Sequence, residues 1–233
     1  MNMNTILTYS EKTKLYELIA TNPKLLPLLP RFGIQLGFGD HSVAEVCQAN
    51  SVDTRLFLLI CRIYTNEEVT ILPKDIEAIN MDGLLPYLLA SHKYYLDERF
   101  PHIEEHLQHI IDAGGAKYGN MLSHFYTEYK QEVERHFKYE EEEVFPYIEA
   151  LRKGQTSTNF SIEQFRNNHS NIEDTLEDMM NILIKYLPGD ILPKERVEIS
   201  ADIIELSSDL ISHSLIEDQI LIPYVETLEK AKP

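Results

Sequence analysis

Two segments of this chain share one pattern, and that pattern restricts the fold more than any other feature. His136, Glu140 and Pro146-Tyr147 are spaced as His213, Glu217 and Pro223-Tyr224, and both read His-x3-Glu-x5-Pro-Tyr at an offset of 77 residues. The offset extends upstream, since His92 and His169 are separated by the same 77 residues. Each half therefore reads His-x43-His-x3-Glu-x5-Pro-Tyr. A histidine and a carboxylate four positions apart leave the same face of a helix. Four helices, each bringing one histidine to a shared interior and two adding a glutamate, suit a pair of iron or manganese ions inside a four-helix bundle. A single His-x3-Glu pair is commonly a surface ion pair. Six positions repeating at one offset are not accounted for that way.

Composition narrows the class. The chain has 233 residues, 43% of them hydrophobic, enough for a substantial core. Its formal net charge of -17, from 38 acidic and 21 basic residues, repels phosphate backbones and argues against nucleic-acid binding. Cys47 and Cys61 are its only cysteines and form no CxxC, so they read as reduced, buried thiols. The first ten residues lack the basic and apolar regions of a secretory signal. No apolar run reaches the roughly 20 residues that span a bilayer. The expectation is a cytoplasmic protein without a membrane partner.

Read in order, the chain predicts an all-α fold in three parts. Residues 1–70 form a small helical N-terminal domain, 71–83 a linker, and 84–233 a four-helix bundle. In the first part Ser10 is expected to cap a helix through Leu15, Leu18 and Ile19, stopped at Asn22-Pro23. A glycine-rich turn runs from Gly33 to Asp40, and Ser42 with Glu45 forms a capping box. The next helix turns Leu56, Leu59, Ile60 and Ile63 inward. In the bundle, helix A spans about 84–113 with His92, kinks at Pro101 and ends at Gly114-Gly115. Helix B spans about 118–152 with His136 and Glu140. Helix C opens on a Ser161/Gln164 capping box and carries His169, Ile172, Leu176 and Met179. Helix D spans about 194–230 with His213 and Glu217.

The candidate metal ligands are thus His92, His136, Glu140, His169, His213 and Glu217. If both glutamates bridge, about two positions per octahedral ion remain, for an oxo bridge and an exogenous ligand such as dioxygen, nitric oxide or peroxide. His106 lies near the His92 face, as a further ligand, an outer group or an exposed residue. His102, His109 and His124 are expected on other faces, in solvent. Glu141, rotated by about 100° from Glu140, is expected to point away from the interior, and Glu142 and Glu143 to be a solvated face.

These residues resemble the hemerythrin-like (HHE cation-binding) family, and the two-part arrangement resembles its di-iron iron–sulfur cluster repair members. His-Phe-Lys-Tyr-Glu-Glu from His136 and Val-Phe-Pro-Tyr from Val144 are similar to the family's His-x3-Glu-Glu and Leu-Phe-Pro elements. Each of the six candidate ligands matches a family ligand position. Arg31-Phe32-Gly33-Ile34 and the segment Ser42 to Cys47 resemble the short domain that precedes the bundle. The adjacent cysteines usual in its intervening turn are replaced here by Gly37 and Phe38. The additional histidine that members often carry late in helix A is absent from Ile111-Asp112-Ala113-Gly114. The resemblance implies a non-haem, carboxylate- and oxo-bridged pair of iron ions. It implies a role in nitrosative or oxidative stress through repair of iron–sulfur proteins, by iron supply or by handling nitric oxide. A carrier or sensor of dioxygen or nitric oxide without turnover is the alternative, and a structural protein with a vestigial site a third. The oligomeric state stays open.

Overall fold

The computed structural model describes residues 10–65, 71–72, 75–76, 79–155, 160–168 and 174–230. These are helical, with no strand among them beyond an isolated antiparallel bridge between Lys14 and Ser42. By backbone contacts the chain divides into two compact units, Met1–Ala90 with Leu215–Tyr224, and Ser91–Ser214 with Val225–Pro233.

The first unit holds α1 (Leu15–Thr21), a 3-10 turn (Pro23–Leu25), α2 (Leu28–Arg31), α3 (Val43–Ala49) and α4 (Thr54–Thr65). The start of α1 differs from expectation. Its N-cap is Lys14, in extended backbone, and Ser10 instead heads a separate turn in which its carbonyl accepts from the Thr13 amide at 2.9 Å. The reason lies in the bridge: Leu15 N–H donates to His41 O and Val43 N–H to Thr13 O, so Lys14 cannot enter the helix. Asn22-Pro23 ends α1, and Ser42 with Glu45 forms a complete capping box on α3. Leu56, Leu59, Ile60 and Ile63 of α4 are buried. So is Arg31, whose Nη1 donates to Tyr64 Oη at 2.8 Å. The turn between α2 and α3 carries Gly37 at φ +100°, backbone that side chains disfavour.

The second unit is a helical bundle of four limbs. The first contains the end of α5 (Leu84–Lys93), a π turn (Tyr94–Arg99) and the start of α6 (Phe100–Tyr139). Helix α6 breaks at Gly115 (φ 61°, ψ -168°), and its second half begins the next limb. That limb continues through a π turn (Glu140–Val144) into α7 (Phe145–Arg152). The third holds α8 (Ile162–Asn168), α9 (Asp174–Asn181) and a π turn (Ile182–Tyr186). Half of the predicted capping box opens α8, with Ser161 N–H donating to Gln164 Oε1 at 3.2 Å. The fourth holds α10 (Pro193–Ile216) up to Ser214 and the end of α11 (Ile222–Lys230); the π turn between these helices (Glu217–Leu221) lies in the segment that groups with the first unit.

Helical periodicity builds the core. Leu122, Tyr126, Tyr129, Val133 and Phe137 stand at i, i+4, i+7, i+11 and i+15 and meet Ile103, Leu107 and Ile110 of the first limb. Leu176, Met179 and Ile182, with Ile199, Ile203, Leu206 and Leu210, complete it. Each such side chain contributes about 1.5–3 kcal/mol by leaving water. The first two limbs are antiparallel: Tyr126 Oη donates to Phe100 O at 2.8 Å, and farther from the break Tyr95 stacks on Phe137 at 5.8 Å.

Every π turn stands directly before an X-Pro pair: Phe100-Pro101, Phe145-Pro146, Leu187-Pro188 and Ile222-Pro223. Proline has no amide hydrogen and its ring crowds the carbonyl four residues back. The chain widens instead. The amide preceding each proline donates five residues back, Phe100 to Tyr95, Phe145 to Glu140, Leu187 to Ile182 and Ile222 to Glu217. The disturbance expected at Pro101 is therefore a π turn on its N-terminal side.

Candidate metal centre

Each π turn in the His-x3-Glu segments begins on the glutamate itself, Glu140 or Glu217. His136 stands in the last turn of α6, one helical turn ahead of Glu140, and His213 likewise ahead of Glu217. His92 lies just ahead of the first π turn. His92, Glu140 and Glu217 are each 0% exposed, and His136 and His213 are buried. His169 lies outside the described residues, as does Ile172.

His92, Glu140, His213 and Glu217 each offer a ligand atom, and these atoms all lie within 4.8 Å of one another. Glu140 faces two imidazoles with separate oxygens: Oε2 is 3.1 Å from His92 Nε2, and Oε1 is 3.0 Å from His136 Nε2. Two ligand atoms at right angles on an ion with bonds of about 2.1 Å are about 3 Å apart, so the spacing fits a coordination edge as well as it fits a hydrogen bond. Imidazole nitrogens and carboxylate oxygens together suit first-row transition metals. Burying two carboxylates is costly unless a cation compensates them. The residues present fit a metal.

The His92 ring is held on every side. Phe137 stacks on it at 4.0 Å with planes 8° apart, and Phe145 lies stacked at 5.7 Å. His213 meets it edge-on at 5.2 Å. Its Nδ1 is 2.8 Å from Glu141 Oε1. Glu141 thus differs in part from the expectation that it points elsewhere. It is exposed, as expected of it, but it follows Phe137 by one turn and so borders the face on which the His92 ring stacks, where its carboxylate reaches Nδ1. The hydrogen bond from His92 holds its carboxyl below the usual range, against the opposing effect of burial. A signal for this was present: an acidic residue, Glu141 or Asp218, directly follows the glutamate in both copies.

Two other side chains went unread in the sequence. Tyr95 donates to Asp209 Oδ1 at 2.8 Å while its ring packs edge-on to His213. The remaining histidines make outer contacts. His102 and His106 meet edge-to-face at 4.6 Å, sharing a face because they are one turn apart, and His102 Nε2 is 3.4 Å from Asp202. His109 pairs with Glu195, His124 with Glu128 and His41 with Glu45.

Cys47 and Cys61 are free and buried. Burial pushes the Cys47 thiol up to about 11 and the Cys61 thiol well above its ordinary value. Thiolate is the reactive and metal-binding form. Native protein at pH 8 is therefore expected to react with Ellman's reagent at least about tenfold more slowly than denatured protein, and Cys47→Ala to leave metal content unchanged. Fast labelling of the native fold, or metal loss in the variant, would contradict this.

Residues 84–225 match the family described as Hemerythrin HHE cation binding domain. The chain is also similar to the iron-sulfur cluster repair protein ScdA of Staphylococcus haemolyticus, at 20% identity over 183 residues, 74% of this chain and 79% of that protein. No helix among the described residues is long and apolar enough to cross a membrane.

Proposed function

We propose, from the premise that the chain belongs to the hemerythrin HHE cation-binding family, that it is a non-haem di-iron protein of the nitrosative and oxidative stress response. Its role is repair of damaged iron–sulfur clusters, by iron supply, by handling nitric oxide, or both. The observation that carries this reading is the buried His92–Glu140–His213–Glu217 cluster, with His136 on the second oxygen of Glu140. His169, by the repeat, is the sixth ligand. The similarity to a cluster repair protein supports the substrate class. Residues 1–70 act as a small domain joined to the bundle through 71–83. Free thiols at Cys47 and Cys61 suit a reducing, cytoplasmic setting.

Two irons held there would supply electrons and a docking point for a small diatomic ligand. The protein's own part is positional. Glu140 offers one oxygen to each of two directions, and the rings of Phe137, Phe145 and Tyr95 restrict water around the imidazoles. Anaerobic reconstitution followed by elemental analysis is expected to give about two irons per chain. A single tightly held zinc with no iron uptake would sink the reading. Iron-loaded protein should also restore a cluster enzyme inactivated by nitric oxide. Reversible ligand binding with no restoration would point to a carrier or sensor.

A further inference from the structure

We infer that Glu141 is the positioning residue for His92, fixing which ring nitrogen carries the proton and the angle at which the other meets a metal ion. The inference rests on the reading of His92 as a ligand and deepens it. An ionised carboxylate only accepts hydrogen bonds, so the 2.8 Å contact of Glu141 Oε1 places the proton on His92 Nδ1. Nε2 then presents its lone pair beside Glu140 Oε2 at 3.1 Å. With Nδ1 engaged by Glu141, Nε2 is the nitrogen left facing the Glu140 carboxylate, where a metal ion would take both as ligands.

The ring plane is set by the same limb. Phe137, Glu141 and Phe145 follow at i, i+4 and i+8, so one stripe supplies a stacking ring, the Nδ1 partner and a second ring. Glu140, beside that stripe, supplies the carboxylate toward Nε2. The plain alternative is a partly exposed ion pair, for Glu141 keeps 41% of its side-chain surface. Such a pair contributes little to stability and nothing to metal affinity. The rest of the acidic run does not share the contact: Glu142 and Glu143 are exposed, and Glu142 lies 3.8 Å from Lys138.

The test uses full-length protein titrated anaerobically with ferrous iron and, separately, cobalt(II), against a competing chelator. Cobalt's visible bands report ligand geometry independently of any activity. Glu141→Ala is expected to weaken metal binding about 10–100-fold and shift the cobalt bands. Glu141→Gln, which keeps an acceptor at Nδ1, should recover most of both, and it carries the test if the alanine variant does not fold. Glu142→Ala should match wild type. His92→Ala is the reference for the ligand itself. Impaired binding in His92→Ala with wild-type affinity and bands in Glu141→Ala overturns the positioning role and leaves the ligand reading standing. Wild-type binding in His92→Ala overturns the ligand reading. A glutamine variant no better than alanine overturns the positioning role, because charge alone would then be at work.

Discussion

Glu140→Ala and Glu217→Ala are each expected to abolish the near-ultraviolet absorption of the iron-loaded protein and the rise in Tm that iron confers. Both carboxylates are fully buried among imidazoles. Metal that binds only the folded state stabilises it by about 4 kcal/mol at a thousandfold excess over Kd. Removing a carboxylate takes away ligand atoms and part of the charge that draws a cation inward. Glu142→Ala is the matched control. It removes one negative charge from the same acidic run, at an exposed position near Lys138, and should retain absorption and thermal shift. Equal loss in the control would mean that general acidity, and not two buried positions, holds the metal.

The second large effect concerns folding alone. Gly119→Ala is expected to destabilise the protein by more than about 2 kcal/mol, the range reached when buried backbone must shift. After the break at Gly115 the chain turns back so tightly that a Cβ at Gly119 would sit 2.2 Å from the Ile111 carbonyl oxygen. Neither partner is a flexible side-chain end. Gly189→Ala, where an added Cβ meets nothing within 4 Å, should change stability by less than about 0.5 kcal/mol, as surface changes usually do. Urea unfolding of the two variants separates the cases. A Gly119→Ala midpoint equal to wild type would show that the turn relaxes freely.

The helical fold was legible because its signals are local and repeated. Leu122, Tyr126, Tyr129, Val133 and Phe137 mark one face without ambiguity, and Gly114-Gly115 marks the break where the backbone leaves helical angles. His92, Glu140, His213 and Glu217 were named from spacing, and their ligand atoms lie together. What escaped depends on geometry that spacing does not encode. Ser10 lost its expected place because a bridge from residues far along the chain holds Lys14 extended. Glu141 is exposed, as its rotation from Glu140 implied, but its contact with His92 escaped because it depends on where another limb places the imidazole. His102 and His106 were assigned to different faces although one turn apart; their rings touch. Gly119 carries no motif, and only the closeness of Ile111 gives it meaning.

The widened turns have a consequence for anyone transplanting this chemistry. A His-x3-Glu pair copied onto a uniform helical scaffold would bring two ligands and leave behind the winding in which they sit here. The interval from Glu140 to Pro146 recurs from Glu217 to Pro223, with the amide before each proline reaching back to the glutamate's own carbonyl. Shortening that interval by one residue would let the helix rewind and swing Phe145 off the His92 ring. The smallest portable piece is therefore His-x3-Glu-x5-Pro. The proline belongs to the graft as fully as the two side chains that would touch the ion.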